Sequence, residues 1–228
     1  MKKKIENLII SLFALLAAAV SPNLFVIAEA GYSSLSEMAI RYLLPSIAFM
    51  ILIIIAGFLL NIRGSSKQIL KGIAAGAIAT PGLEVVREVG YHLGGMPGDL
   101  PKLMGVLLLN RFALGPDTFS NIIGWSYHFW NGACFGVIYS IIFGRGRLWI
   151  AVLYGILIGS IFMVSPVVIA LGVGKFGTEF NVGFPITVIL AHIAYGFILG
   201  GIIYKWNKER ESIFSKIKSI LTYKRNES

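Results

Sequence analysis

Long runs of apolar residues, separated by short polar breaks, dominate the pattern along this chain. Six runs are long enough to cross a hydrocarbon layer about 30 Å thick, which takes about 20 residues of helix. They lie at roughly residues 7–30, 39–62, 71–92, 120–143, 148–172 and 184–206, here called spans 1 to 6. Because backbone groups cannot stay unpaired in lipid, runs of this length predict helices.

One further apolar run, at residues 104–114, is too short to cross a bilayer. Turn-forming residues precede it at 96–101 and follow it at 115–117. The pattern therefore predicts a re-entrant or interfacial helix here. With the six spans it defines an all-α integral membrane protein.

The composition excludes a soluble globule. Only 14% of the 228 residues are charged and 56% are hydrophobic, whereas soluble domains carry about a quarter charged residues. The net charge of +9 would suggest nucleic acid in a soluble protein. Here we expect no nucleic-acid partner, because the basic residues follow the pattern of a membrane topology.

The lysines and arginines predict that both termini are cytoplasmic. With the N-terminus inside, 15 of them fall on the cytoplasmic side and 5 outside, namely Arg41, Arg87, Lys102, Arg111 and Lys175. This orientation also requires that the 104–114 segment does not cross. Residues 1–30 fit either a retained first helix or a cleaved signal peptide. We favour the helix, because polar residues at 21–23 interrupt the apolar run; the other spans keep their orientation in both cases.

Two stretches repeat one order of glycine, proline, histidine and tyrosine. The first copy has Gly72, Gly76, Thr80-Pro81, His128, Gly132, Gly136 and Tyr139, and the second has Gly155, Gly159, Ser165-Pro166, His192, Gly196, Gly200 and Tyr204. Each copy holds two spans, an even number, which predicts parallel repeats at 69–145 and 148–206. The glycines alone are typical of close helix packing in lipid.

Several of these motifs resemble one protein family. The resemblance is carried by 72–80, by Met-Pro-Gly-Asp-Leu-Pro-x-x-Met-Gly at 96–105, by 124–139 and by His-x-x-Tyr-Gly-x-x-x-Gly at 192–200. The chain resembles a family of small prokaryotic multi-pass membrane proteins that have a domain of unknown function. The resemblance covers about 69–206, so the expected organisation is two N-terminal helices at 1–68, a four-helix repeat domain at 69–206, and a tail at 207–228. It implies a multi-pass fold in a prokaryotic cell membrane and leaves the chemistry open.

Four spans place a polar residue at one depth. At a rise of 1.5 Å per residue, Glu84, His128, Ser165 and His192 each lie roughly 12 Å below the outer boundary. Charged or ionisable residues inside a membrane are costly and usually face the interior of a helix bundle. We therefore expect one polar layer in the outer leaflet.

Span 3 adds charges to this layer. Glu84, Arg87 and Glu88 share one helix face by their spacing, and Asn131 lies close to His128 in span 4. The set has two interpretations. One is an arginine clamped between two carboxylates that fixes helix packing. The other is a proton or cation site open to the outside.

The two repeat-related histidines also allow two interpretations. His128 and His192 can hydrogen-bond neighbouring helices and hold them together. They can instead ligate a haem iron or, with the glutamates, a divalent metal. The pattern favours no cofactor, because neither histidine has a second ligand on its own helix at metal-site spacing.

The tail has an amphipathic pattern. Its apolar residues Ile213, Phe214, Ile217, Ile220 and Leu221 form one stripe. Lys208, Lys216 and Lys218 lie largely off the stripe. We expect this helix to rest on the cytoplasmic leaflet, with these three lysines at the surface of anionic lipid.

The motifs as a whole favour a non-enzymatic membrane protein. A phosphate-binding Gly-x4-Gly-Lys-[Ser/Thr] motif and a Gly-x-Ser-x-Gly elbow are both absent from the sequence. The leading hypothesis is a subunit or partner in a larger membrane assembly, or a homo-oligomer, with an outward-facing polar site. The alternatives are a small permease or channel for protons or a small solute, and a haem- or metal-bearing electron-transfer subunit.

Overall fold

Helices form most of the chain. The computed structural model describes residues 1–207 and 211–225, and within these ranges the chain forms helices and no strand. The α-helices are α1 (Lys2–Glu29), α2 (Leu35–Met38), α3 (Leu44–Leu59), α4 (Arg63–His92), α5 (Leu100–Leu108), α6 (Thr118–Phe143), α7 (Leu148–Met163), α8 (Pro166–Ala170), α9 (Gly183–Trp206) and α10 (Ile213–Arg225). A π-helical turn at Ala39–Leu43 joins α2 to α3 without a break. The all-helical prediction is confirmed.

Four helical stretches are long and apolar enough to cross a membrane. They are α1, the continuous stretch Leu35–Leu59, α4 and α9. Helix α7 is apolar but shorter, and α6 is long but carries the polar residues of the predicted layer. The structure is therefore that of a helical protein compatible with a membrane, and the six crossings stay a prediction.

Span 5 differs from its prediction. A single helix was expected over 148–172, but α7 ends at Met163 and α8 begins at Pro166. The cause is local, since a residue before proline is pushed out of the helical region and Ser165 has extended angles of φ −75° and ψ 158°. Pro81, by contrast, lies inside the unbroken helix α4.

The short run at 104–114 forms a helix that starts earlier than its apolar pattern. Asp99 caps α5 by accepting a hydrogen bond from the backbone N–H of Lys102, and Pro101 fits the first turn. The helix ends at Leu108, and a 3₁₀ turn follows at Phe112–Leu114. A short helix is thus present, while its re-entrant or interfacial placement stays a prediction.

Helix α4 lies at the centre of the bundle. It packs against α6 on one side and α9 on another, α7 packs against α9, α5 against α6, and α1 against α6 and α3. Glycines allow the closest of these contacts. A Cβ atom at Gly76 would collide with the carbonyl oxygen of Gly132, and one at Gly136 would collide with that of Gly72. Small residues thus bring the α4 and α6 backbones into contact.

Helix α10 packs against the bundle where α1 begins and α6 ends; this end is called the tail end below. Lys216 joins the helices there, because its Nζ donates hydrogen bonds to Ser11 Oγ (2.8 Å), Ser65 Oγ (3.1 Å) and Gln68 Oε1 (2.9 Å). Gln68 in turn donates through Nε2 to the carbonyl of Glu211 just before α10 (2.7 Å). Burial lowers the pKa of Lys216.

The expected lipid contact of Lys216 is therefore wrong. Lys216 is buried because it lies three residues after Ile213, which faces the protein, and so shares its side of α10. The apolar residues Phe214, Ile217 and Leu221 are exposed instead. Lys218 is also exposed, so its lipid contact stays a prediction, and Lys208 lies outside the described residues.

Candidate functional site

A cavity of about 370 Å³ lies between α1, α4, α6, α7 and α9. It lies within the size range of small-molecule pockets, and it could hold about twelve water molecules at about 30 Å³ each. Six of the seven predicted polar residues line it: Glu84, Arg87, His128, Asn131, Ser165 and His192. The structure thus brings the predicted polar layer together around one space.

Glu84 and Arg87 form a buried ion pair on one face of α4. Both Nε and one terminal nitrogen of Arg87 lie 2.7 Å from Glu84 Oε2. Their side chains are 10% and 8% exposed, so each charge needs the other to offset its loss of water. The spacing of three residues on a helix makes this geometry available.

Arg87 also lies near two further carboxylates. Its nearest distances to Glu88 Oε2 and Asp99 Oδ1 are 3.9 and 3.7 Å. Glu88 is 56% exposed and lies 3.2 Å from Nε2 of His92, so it points away from the cavity and the structure does not bring it into the site. The position of Asp99 near Arg87 was not predicted from the sequence. The feature that could have indicated it is the turn between α4 and α5, which brings Asp99 back toward α4.

His128 reaches the same ion pair from α6. Its Nε2 lies 2.9 Å from Glu84 Oε1. The two atoms are close but poorly aligned, so neither completes a hydrogen bond among the residues that the structure describes. Ser165 Oγ is likewise buried without a hydrogen-bond partner in the described ranges. Ser165 Oγ therefore has unused hydrogen-bonding capacity beside the Glu84–His128 contact, and buried polar atoms of this kind are rare in folded proteins.

His192 has different surroundings. Its Nδ1 lies 2.7 Å from the carbonyl oxygen of Val188. Since a carbonyl oxygen can only accept, Nδ1 carries the proton, and a neutral imidazole then leaves Nε2 as an acceptor. The ring stacks on Phe162, with centroids 6.4 Å apart and planes at 27°.

Helix α1 positions Asn131. Ser21 donates a hydrogen bond to Asn131 Oδ1 (2.6 Å), and Tyr127 donates to the carbonyl oxygen of Ser21 (2.7 Å). All three residues are buried. The contacts of Ser21 and Tyr127 were not predicted from the sequence. The polar residues at 21–23, inside an otherwise apolar helix, could have indicated a buried polar contact at Ser21.

The cavity is closed toward the tail end. There, the α4 and α6 backbones meet at Gly76 and Gly132. Tyr195 of α9 donates a hydrogen bond to the carbonyl oxygen of Gly132 (2.7 Å), and so fastens α9 to the same point. These contacts separate the cavity from the Lys216 cluster.

The cavity is also covered toward the loops that join α4 to α5 and α8 to α9. Met96 lines it from the first loop. Asn181 of the second loop donates a hydrogen bond to the carbonyl oxygen of Gly94 (2.9 Å), and the neighbouring Gly95 packs against Thr187 and Gly183. The two loops thus form a joint cover.

The remaining wall is mostly apolar. Phe25, Leu100, Met104, Phe135 and Phe162 contribute to it. One side of the cavity can therefore contact hydrocarbon, while the Glu84 cluster and Ser165 can donate or accept hydrogen bonds on the other. Such a combination suits a molecule with a polar head and an apolar body.

This arrangement offers few donor atoms for a metal ion or a haem iron. Within residues 1–207 and 211–225, no group of three or more His, Cys, Asp or Glu side chains is arranged to hold a metal ion. His128 is directed at Glu84, and Nδ1 of His192 is bonded to its own helix. Nε2 of His192 is the nitrogen that this geometry leaves for a ligand bond, and ligation by the two histidines stays a prediction.

Comparison with known proteins gives one match. The model of a family described as "Family of unknown function (DUF6789)" matches residues 66–214. No curated protein and no solved structure matches the chain. The matched stretch includes all six predicted polar residues that line the cavity, and it agrees with the expected resemblance to a family without an assigned function.

Proposed function

The chain belongs to this family of unknown function, and from the cavity we propose that it is a non-enzymatic membrane protein that binds a small molecule. The observation that carries the proposal is the set of buried polar groups of Glu84, His128 and Ser165 around a space of about 370 Å³, with Ser165 Oγ unpaired among the described residues. A clamp that only fixed helix packing would need no such space. A relay for protons alone would need only a few waters.

We propose a topology of six crossings in the cell membrane of a prokaryote, with both termini cytoplasmic. Four helices have the necessary length and apolar character, and the bias of 15 basic residues to 5 supports the orientation. Helix α6 would cross because its polar residues face the cavity rather than lipid. Helices α7 and α8 would cross together.

A second proposal is that the chain works within a larger membrane assembly or as a homo-oligomer. The closure at Gly76, Gly132 and Tyr195 supports it. A permease needs a path to both sides, and this closure interrupts one on the cytoplasmic side. A bound molecule would then pass to another component rather than through this chain.

The test is to purify the full chain in mild detergent and identify small molecules that copurify, by extraction and mass spectrometry. Glu84→Gln should lower the copurified amount about tenfold, since it removes a charge that organises Arg87 and His128. Glu88→Gln is the matched control, one turn further along α4 but exposed, and it should retain the wild-type amount. Equal retention by both variants would contradict the proposal. Native gels of the same preparation report companions or self-association, and a monomer without either would contradict the assembly role.

A further inference from the structure

The way into the cavity lies between α1 and α7. Two exposed residues line the cavity, Asn23 on α1 and Ile161 on α7. The tail end and the loop cover are closed by the contacts described above. Helix α8 packs against α1 and so bounds the mouth on the loop side.

The rim of this mouth is apolar. Ile27 lies one turn after Asn23 on α1, Val164 lies three residues after Ile161, and both are exposed. Asn23 lies six residues before the end of α1, about 9 Å along the helix. In the proposed topology the mouth therefore opens into hydrocarbon and not into water.

The polar side of the cavity suits an uncharged head group. Arg87 is already neutralised by Glu84 at 2.7 Å, so a charged head would find no free counter-charge in the cluster. Ser165 can donate or accept, and neutral His192 offers an acceptor at Nε2. These groups recognise hydroxyl or carbonyl oxygens.

We infer that the ligand is a membrane-dissolved molecule with an uncharged hydroxyl or carbonyl head and an apolar body, which reaches the cavity sideways between α1 and α7. This inference rests on the proposed binding function and specifies the ligand class and its route. The head lies against Ser165, His128 and His192. The body lies against Phe25, Leu100 and Met104.

Photolabelling of the purified full chain in phosphatidylcholine nanodiscs tests the head group. Three probes carry the same 16-carbon diazirine chain and end in an alcohol, a carboxylate or an amine. The alcohol should label peptides that line the cavity most strongly. Ser165→Ala should lower this labelling about fivefold, the effect of one lost hydrogen bond. Stronger labelling by the carboxylate or the amine would overturn the uncharged head.

A steric block tests the route. Ile161→Trp should fill the mouth and lower alcohol labelling about tenfold, whereas Leu157→Trp should leave it unchanged. The two residues are matched, because they lie one turn apart on α7 at 57% and 55% exposure, and Leu157 does not line the cavity. Asn23→Trp blocks the opposite side of the mouth and should repeat the effect if Ile161→Trp fails to fold. Equal labelling of the mouth variants and Leu157→Trp would overturn lateral access.

The proposed ligand class and the proposed binding function can fail separately. If no probe labels wild-type protein but a water-soluble molecule copurifies with it, the bilayer ligand is overturned and the proposed binding function stands. If no probe labels the cavity and nothing copurifies, both are overturned.

Discussion

Two helix pairs share a sequence pattern but pack in different registers. In each pair a Gly-x3-Gly helix lies antiparallel to a His-x3-Gly-x3-Gly helix: α4 with α6, and α7 with α9. A Cβ atom at Gly76 of α4 would meet the carbonyl oxygen of Gly132, whereas the matching contact in the second pair joins Gly155 of α7 to the carbonyl oxygen of His192. The equivalent contact thus lies one turn earlier on both helices of the second pair.

The offset gives the two histidines different chemistry. His128 lies opposite α4 at the level of Glu84 and contacts its carboxylate at 2.9 Å. His192 lies against Gly159 and Phe162, where its ring meets carbon and backbone. This difference in register therefore produces the polar wall of the cavity at α4 and α6, whereas α7 and α9 give their histidine no charged partner. The parallel repeat itself stays a prediction.

The largest effect should come from breaking the polar wall. Arg87→Met leaves Glu84 buried without its counter-charge and should lower the free energy of unfolding by about 3–5 kcal/mol. Thermal unfolding in detergent measures the change. The control is Arg41→Met, because Arg41 forms an exposed pair with Glu37 and should cost less than about 1 kcal/mol. The double variant Glu84→Gln/Arg87→Met should recover part of the loss; no recovery would contradict the buried-pair explanation.

The register itself can be tested by adding one methyl group. Gly76→Ala directs a Cβ atom at the backbone oxygen of Gly132, which cannot rotate away, and should destabilise the protein by about 1–3 kcal/mol. Gly159→Ala meets the ring of His192, which can move, and should cost less. Gly201→Ala has open space and should be neutral. A decrease in the thermal midpoint that is largest for Gly76→Ala, smaller for Gly159→Ala and absent for Gly201→Ala would support the difference in register. A larger decrease for Gly159→Ala than for Gly76→Ala would contradict it.

The two histidines should differ in their contribution to stability. His128→Gln loses an ion-pair contact of 2.9 Å with a buried carboxylate and should lower the free energy of unfolding by about 1–3 kcal/mol, the usual cost of leaving a buried polar group without its partner. His192→Gln loses one bond to its own helix and should cost about 1 kcal/mol. Chemical unfolding of the two variants under the same conditions measures the difference. Equal decreases in the free energy of unfolding would show that the two histidines contribute alike, despite their different surroundings.

Lys216→Met should have the smallest effect on the stability of the whole fold, but a clear local effect on α10. Loss of three hydrogen bonds should release α10 and expose Ile213. In this background, the cysteine of Ile213→Cys should react with maleimide about tenfold faster. The reaction rate of Phe214→Cys, at an exposed position, should be unchanged. The native Cys134 is buried and does not interfere. Unchanged protection at 213 would show that Lys216 does not hold the tail.

The same labelling has an expected pH dependence. Burial lowers the pKa of Lys216, although nearby Glu211 opposes the shift. Docked α10 therefore binds fewer protons than released α10, so docking strengthens as pH rises toward the ordinary lysine pKa and weakens as pH falls. Protection at 213, normalised to position 214, should increase with pH in wild type and stay flat in Lys216→Met. Protection that falls with rising pH would contradict the direction of the shift.

The grouping of the polar residues was predictable from the sequence. Counting 1.5 Å per residue from the span ends placed Glu84, His128, Ser165 and His192 at one level, and the structure groups them around one cavity. Helix rise is a local quantity, so it needs no knowledge of which helices touch.

Contacts between helices were less predictable. The spacing of the glycines alone could not choose between the two registers, because a glycine leaves room for the backbone of the facing helix in either one. The position of Lys216 was misjudged because its three partners lie on α1 and α4, more than 140 residues away in the chain. The contact between Arg87 and Asp99 depends on the path of the loop between α4 and α5. The periodicity of hydrophobic residues does not predict the path of a loop.

The break at Ser165-Pro166 also affects how the chain is made. Helix α7 has 16 residues and a length of about 24 Å, short of the roughly 30 Å of hydrocarbon. In the proposed six-crossing topology, it would not span the bilayer alone during synthesis. It is completed by the residues that follow the break and is held by α9 through Gly155 and Gly196. For a six-crossing topology, α7 through α9 must therefore leave the insertion machinery as one hairpin.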